Sequence, residues 1–357
     1  MSITRRVIMS DRYFKLAYNN FLEATQNTSI IDRFYNVAGC HIRLRYAGEG
    51  LLPYISPALE HLAAEQIAVP TLSICLWDDV TTNTRMAPFP WNSHPAVASM
   101  RGQDKEKNTN PVIYFKHNSV QGAYRAGTNT VSMFDSEQKL ALFRVPDASQ
   151  IHYYESSTPM RSIFQWWAQS EGFQLVHAGA VGKNNEGVLL VGTSGSGKSC
   201  TALSCLHSEL KCAGDDHVLL GMRPVPYAYS LYNVCRLKVS DIKRFPGLQS
   251  VIIDPARTGT DKALVFLNSH YPQKISKGFR VRAVILPKVT DFSETKLKKV
   301  SPAVGLRAIA PSTIMQLPGA GKPDLRWMSE FIRQVPSYVL ELGKDREKIP
   351  DIIVSVL

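Results

Sequence analysis

The sequence predicts an α/β protein in two parts. A mixed sheet with flanking helices occupies residues 157–357, and an α+β accessory domain precedes it over residues 1–156. Three observations carry this expectation. An apolar run, Val188 to Val191, leads into a Gly/Ser loop ending in Lys198-Ser199 and then a helical stretch. Short strand-like segments separated by turn residues recur between residues 40 and 143. Charge divides unevenly: residues 1–156 carry 15 Lys/Arg against 14 Asp/Glu, and residues 157–357 carry 26 against 16.

The N-terminal 37 residues read as a polar, helix-compatible start. Cys40 to Tyr46 alternates apolar and polar residues, a strand signal. Ala58 to Glu65 reads as a short amphipathic helix begun by Ser56-Pro57. Thr71 to Trp77 is a second strand, and its acidic end, Asp78-Asp79, is expected to form a turn rather than a cation site. Residues 83–110, rich in Pro, Asn and Ser, read as a long surface loop. Val112 to Lys116 is a strand, and Ser119 to Phe143 reads as further short strands turning at Gly122, Gly127 and Asp135-Ser136. His41, His61, His94, His117 and His152 are scattered without metal-ligand spacing and are expected to be structural or surface residues.

Ser156 to Met160 marks the expected domain junction. Arg161 to Gln169 is a helix with Ile163, Phe164, Trp166 and Trp167 on its apolar face, ended by Gly172. Phe173 to Val181 forms a strand or strand-turn, and Gly182 to Gly187 a polar turn.

The loop itself, Gly192, Thr193, Ser194, Gly195, Ser196, Gly197, Lys198 and Ser199, fits G-x-x-x-x-G-K-[ST] and runs on into Cys200. Glycines there let backbone N–H groups turn inward to a phosphate. Lys198 is placed for the outer phosphates of ATP, and the Ser199 hydroxyl for Mg²⁺. A helix over 201–207 is expected to add its N-terminal charge. Leu210 to Leu220 reads as a strand interrupted by Asp215 and Asp216, which lie 16 and 17 residues after Ser199. One helix and a return strand span that distance. A second strand beside such a loop commonly delivers a carboxylate that holds the metal or takes a proton from an attacking hydroxyl. Arg236, Lys238, Arg280 and Arg282 are further candidates for contacting anions.

Composition narrows the function classes. No run of 18 apolar residues predicts a membrane span, and no apolar stretch follows Arg5-Arg6 to suggest a signal peptide. Six cysteines without a C-x-x-C pair fit a reducing, cytoplasmic setting. The net charge of +11 favours an anionic partner, but no Lys/Arg stripe interleaved with aromatics points to nucleic acid.

Together, His177-Ala178, the loop Gly192–Ser199 and Gly214-Asp215-Asp216-His217-Val218 resemble the HPr kinase/phosphorylase family and its relatives encoded beside peptide-biosynthesis genes. The steps of 21 residues from His177 to Lys198 and 17 from Ser199 to Asp216 are similar to that family's spacing. The resemblance covers residues 157–357. It implies a P-loop kinase domain of HPr kinase/PEP carboxykinase type with a mixed sheet, using ATP and Mg²⁺. It also implies catalytic roles for His177, Lys198 and Asp216, with Asp216 accepting the proton of a substrate serine beside His177. Ser199 and Asp215 are the implied metal residues. Ala308 to Pro318 and Val335 to Leu342 look like the HPr-kinase-related branch, which includes lasso-peptide precursor kinases, so the implied acceptor is a hydroxyl on a peptide or protein. The Glu-Ile-Arg-Gly-Leu-Gly-type stretch of the HPr enzymes is absent. Tyr229 to Lys238 stands in its place, with Asp241 a candidate substitute for the missing Glu. Two other readings stay open: a nucleotide-gated binding or regulatory protein, and a small-molecule alcohol kinase. A homo-oligomer is compatible with each.

Overall fold

A computed structural model describes residues 3–86, 112–245, 247–248 and 262–357. The chain divides into two units, Met1–Ser56 with Ala63–Ser170, and Pro57–Leu62 with Glu171–Leu357. The sequence places the junction at 156/157, ahead of the Arg161 helix; in the structure that helix belongs to the first unit, where its Trp166 ring lies 6.1 Å from Tyr114.

The first unit holds α1 (Ile3–Asn27), strands β1 (Ile30–Val37), β2 (Cys40–Ala47), β3 (Leu72–Asp78), β4 (Val112–His117), β5 (Val120–Arg125), β6 (Thr130–Asp135) and β7 (Leu140–Val145), and α2 (Arg161–Ser170). The strands form one sheet in the order β1-β2-β3-β7-β6-β5-β4. Pairing is parallel at β2–β3 and β3–β7 and antiparallel elsewhere. Along α1, Tyr13, Phe14, Ala17, Phe21 and Ala24 recur at helical spacing and pack on Trp77, Tyr124 and Met133 of the sheet.

Several expectations for residues 1–156 change. The start is not helical to residue 37, because Ile30–Val37 pairs along its length with β2. Ala58 to Glu65 is not an α-helix. Its residues make two single 3₁₀ turns, Ser56–Ala58 and Glu60–Leu62, because they are tied to other segments. The Asn233 amide donates to the carbonyls of Pro57 (2.8 Å) and Ala58 (3.0 Å), and His61 Nε2 lies 2.6 Å from Ser230 Oγ. Gly122 sits inside β5, not in a turn. A Cβ there would come 2.2 Å from the Phe115 ring, so the missing side chain makes room for that ring across β4–β5. Asp78 caps the short helix Asp79–Thr82 by accepting from Thr81 N, and Asp79 pairs with Arg144, as befits a turn. The loop expected over 83–110 falls largely, and His94 wholly, outside the described residues.

The second unit builds a mixed parallel and antiparallel sheet from β8 (Gln174–Val176), β9 (Gly179–Lys183), β10 (Glu186–Leu190), β11 (Lys211–Gly214), β12 (Val218–Gly221), β13 (Tyr227–Ser230), β16 (Gly278–Val289), β17 (Lys296–Val300) and β18 (Ser337–Leu342). Its main path runs β11-β9-β10-β16-β13-β12-β8, with β18 parallel to β16 and β17 antiparallel to β18. A separate ribbon pairs β14 (Val234–Lys238) with β15 (Lys262–Phe266).

The continuous apolar run of β10 follows from burial on both faces. Leu189 joins a core with Met328 and Phe331 of α5 (Lys322–Arg333) and Ile309 of α4 (Pro302–Gln316). Val188 and Leu190 point the other way, to Ala202 of α3 (Lys198–Ser204) and Ile349 and Ile353 of α6 (Ile349–Val354). The polar turn expected over 182–187 tightens to Asn184-Asn185, both at positive φ, while Lys183 and Glu186 already pair across the hairpin. No described helix is long and apolar enough to cross a membrane.

Candidate functional site

Strand β10 lies between β9 and β16, and the chain leaves its end into the loop. Gly192 (φ +143°), Gly195 (φ +85°) and Gly197 (φ +108°) all adopt backbone angles that L side chains rarely take, so the loop can curl back on itself. At Gly197 there is a packing reason too: a Cβ would come 2.7 Å from Leu342 Cδ1. The helix starts at Lys198, earlier than the expected 201, and its last turn, Cys205–His207, tightens to 3₁₀.

This loop opens on a cleft of about 770 Å³, continuous with solvent and lined by His177, Ser194, Gly195, Gly197, Lys198, Ser199, Cys200, Asp216, Arg236, Lys238 and others. Gly192, Thr193 and Ser196 lie outside that lining, and two of them act through their backbone. Lys198 is 7% exposed, and its Nζ donates to the carbonyls of Gly192 (2.8 Å) and Thr193 (3.2 Å). Burial pushes the Lys198 pKa down, while Asp215 and Asp216 oppose that fall.

Asp215 and Asp216 sit between β11 and β12, where the strand interruption was expected. Their environments differ. Asp215 is 2% exposed and stands behind the lining. Its Oδ2 accepts from the Arg236 backbone N–H at 3.0 Å, the nearby Ser199 hydroxyl favours its charged form, and its Oδ1 has no hydrogen-bond partner. Burial pushes the Asp215 pKa up, opposed chiefly by the Arg236 N–H. Asp216 faces the cleft and is surrounded by donors. Arg236 Nη2 pairs with its Oδ2, His217 Nδ1 lies 2.7 Å from the same oxygen, and His177 Nε2 lies 3.2 Å from Oδ1. Burial opposes ionisation of Asp216, but Arg236, then His217 and His177, outweigh it and hold the carboxyl well below its usual range.

His177 is therefore not a lone core histidine. Its backbone N–H donates to Thr313 Oγ1 at 3.1 Å, and Gln316 Nε2 lies 3.2 Å from its Nδ1. With Gln316 donating at Nδ1, the ring proton sits on Nε2 and is directed at Asp216. Burial pushes the His177 pKa down, against the pull of Asp216, which favours this neutral form.

Sequence reasoning singled out Arg236 only as one of several candidate cations, and it missed Gln316 and His217 as partners. Arg236 clamps both carboxylates, one with its backbone and one with its guanidinium. Gln316 lies in the Ala308–Pro318 segment, and His217 directly follows the Asp pair, so both were in view without a stated role. Arg280 and Arg282 are not in the cleft. They lie near the start of β16, and Arg282 Nε is 3.6 Å from Glu186, whereas the cleft takes Val289 at the strand's far end. Asp241 does line the cleft but pairs with Arg244 at 2.8 Å.

A divalent cation fits here only in part on protein ligands. Among the described residues no group of three His, Cys, Asp or Glu could enclose a metal. The unpartnered Asp215 Oδ1 beside the Ser199 hydroxyl matches the one or two oxygen ligands that Mg²⁺ takes from protein when phosphates and water supply the rest.

No family model matches the chain, and no curated protein is similar to it. Among solved structures, the HPr(Ser) kinase/phosphatase from Coxiella burnetii is similar over 51% of this chain and 93% of that one, with 11% identity and a TM-score of 0.29. A likeness of that size says nothing about chemistry, which stands on the residues above.

Proposed function

We propose that this chain is an ATP- and Mg²⁺-dependent kinase that phosphorylates a hydroxyl, a serine in the first instance, on a peptide or protein such as a ribosomal peptide precursor. One observation carries the reading: a single cleft brings the glycine-rich loop with Lys198 and Ser199 together with Asp216 and His177, and Asp215 stands directly behind. In this reading Lys198 leaves the Gly192 and Thr193 carbonyls to hold the outer phosphates, and Ser199 with Asp215 holds the cation. Mg²⁺ supplies charge neutralisation on the phosphates when bound. Asp216 takes the proton of the attacking hydroxyl, and His177 orients it through Nε2. For Asp216 to serve as a base, its pair with Arg236 must loosen, and a phosphate oxygen is the natural competitor for that guanidinium.

Asp216→Asn tests the assignment, because Asn is nearly isosteric but cannot accept a proton. Nucleotide affinity should persist while single-turnover transfer from labelled ATP falls by about 10²–10⁴. Asp215→Asn should instead raise the Mg²⁺ requirement, and His177→Ala should fall between the two in rate. Transfer at the wild-type rate in Asp216→Asn would remove Asp216 from the role of base.

A second reading, a nucleotide-gated binding protein without transfer, draws on that same Arg236–Asp216 pair, which holds the carboxylate ionised and poorly basic. Nucleotide binding with no transfer to lysate peptides would favour it.

A further inference from the structure

We propose that the nucleoside end of the triphosphate lies on a shelf formed by Val289, Leu342 and Arg346, on the side of the phosphate loop away from Asp216. This deepens the nucleotide reading and rests on it for the loop holding phosphates.

The topology sets the direction. Strands β11 and β10 are each antiparallel to β9, and β16 is parallel to both β10 and β18, so β11, β10, β16 and β18 all point the same way. Their carboxyl ends gather at one end of the sheet, which is where open α/β sheets bind ligands. Each delivers one part of the cleft. The Asp pair follows β11, the loop follows β10, Val289 ends β16, and Leu342 ends β18 with Arg346 shortly after it. Val284 and Ile285 of β16 pair with β10 and with β18 at once, so these two strands lie on opposite edges of β16. The loop therefore stands between the carboxylates on one side and Val289 and Leu342 on the other. A nucleotide whose outer phosphate faces Asp216 sends its other end over β16 and β18. Strand β18 lies two strand spacings, about 10 Å, from β10.

The shelf also has the surface a base requires. Val289 is 53% exposed, and among the described residues it is the one exposed large hydrophobic that lines the cleft. A single exposed valine is ordinary; this one is set apart by touching the loop. A Cβ on Gly197 would come 3.6 Å from Val289 Cγ2 and 2.7 Å from Leu342 Cδ1, so shelf and phosphate cradle are contiguous. Arg346 adds a planar guanidinium, a group that stacks on π-systems. The segments after β16 and β18 are tied together. The Thr290 N–H donates to the Leu342 carbonyl at 3.1 Å, the Gly343 N–H to Thr295 Oγ1 at 3.0 Å, and the Thr295 N–H to Asp345 Oδ1 at 2.6 Å. A surface held in this way loses little freedom when a ligand settles on it.

The test compares ATP with inorganic tripolyphosphate, which offers phosphates and no nucleoside. Both are titrated calorimetrically into the full chain at fixed free Mg²⁺. Wild type should bind ATP about ten-fold more tightly than tripolyphosphate, the order expected for one apolar contact removed from water. Val289→Asn should lower ATP affinity by about that factor and leave tripolyphosphate affinity unchanged. Arg346→Gln, a second variant on a different element, should lower ATP affinity more than tripolyphosphate affinity. Equal binding of the two ligands by wild type overturns the proposal and leaves the loop's role standing. Equal losses for both ligands in both variants also overturn it, since the residues would then serve the phosphates or the fold. So do variants that keep ATP affinity but raise the KM of a serine peptide, because the shelf would then hold the acceptor. Binding of neither ligand by wild type removes the nucleotide reading and the shelf with it. An ATP preference that the variants erase, without transfer to any peptide, supports the shelf while the kinase reading fails.

Discussion

At the scale of single residues, the two adjacent aspartates show how one dipeptide acquires two characters. Asp215 is buried with one unpartnered oxygen and is pushed toward its neutral form, while Asp216 is held ionised by Arg236. Separation of paired acids by environment is how sites divide metal-holding from proton-moving roles. Lys198 belongs to the same economy of charge, for its ammonium is buried and rests on two carbonyls. Replacing it removes the ammonium that rests on those two loop carbonyls. Lys198→Ala should therefore weaken ATP·Mg²⁺ binding by roughly 10- to 150-fold, the equivalent of a charged hydrogen bond of about 1.5–3 kcal/mol. Isothermal titration checks this, and wild-type affinity with wild-type turnover would refute the loop's role. Gly197 is the backbone counterpart. Gly197→Ala must hold a side chain at φ +108° and push Leu342 aside. The strain is about 1–3 kcal/mol. It should lower the melting temperature and nucleotide affinity together. Gly195→Ala, at φ +85° but facing open space, should cost less. Equal effects in the two variants would show that packing against Leu342 does not matter.

At the scale of elements, the strands of the second unit were the most legible part of the sequence. Val188 to Val191 reads correctly because both faces of β10 are buried, and a buried strand has no polar phase to confuse it. The Asp pair was placed correctly at the strand interruption for a similar reason: Leu210, Cys212 and Ala213 on one side and Val218 to Leu220 on the other are apolar. What escaped was decided by distant partners. Ala58 to Glu65 has helical periodicity, yet Asn233 and Ser230, some 170 positions on, hold it in 3₁₀ turns. Gly122 looks like turn punctuation but answers to a cross-strand ring. Arg236 looked like any strand cation until folding set it against Asp216. The His61–Ser230 contact has a thermodynamic consequence. Burial, with Lys277 adding to it, pushes the His61 pKa down to about 3, so the folded chain holds this ring neutral at pH values where the unfolded chain protonates it. The unfolded state therefore binds more protons below pH 6.5. Stability from this group is complete above pH 6.5 and falls by about 1.4 kcal/mol per pH unit as pH drops toward 3. Urea midpoints at pH 7 and pH 5 should differ in that direction, and His61→Gln should shrink the difference. His177, also pushed down by burial, contributes with the same sign. An unchanged slope in His61→Gln would mean that His61 is solvated or charged in the fold.

At the scale of the whole molecule, the uneven charge acquires a location. The +11 net charge is almost entirely a property of residues 157–357, and part of that excess lines the cleft as Lys198, Arg236, Lys238, Arg244, Lys262 and Arg346. Buried and exposed cations among these respond differently to ionic strength. Lys198 and Arg236 are shielded by protein and contact their partners directly, so salt should affect them little. Lys238 is exposed, and Arg244, with half its side chain in water, is screened even from Asp241. Exposed charges act over about 8 Å at physiological salt but only about 3 Å at 1 M. Capture of an anionic acceptor by the rim should thus weaken between about 50 and about 500 mM salt, with KM rising and kcat holding. Nucleotide affinity, measured with free Mg²⁺ fixed, should fall less over the same range, because the contacts proposed for it include the buried ammonium and the loop N–H groups. Steady-state kinetics with an acidic serine-containing peptide as acceptor provides the comparison. A flat acceptor KM across that range would show that the basic excess plays no part in acceptor capture, and would leave the cleft's selectivity to shape and hydrogen bonding alone.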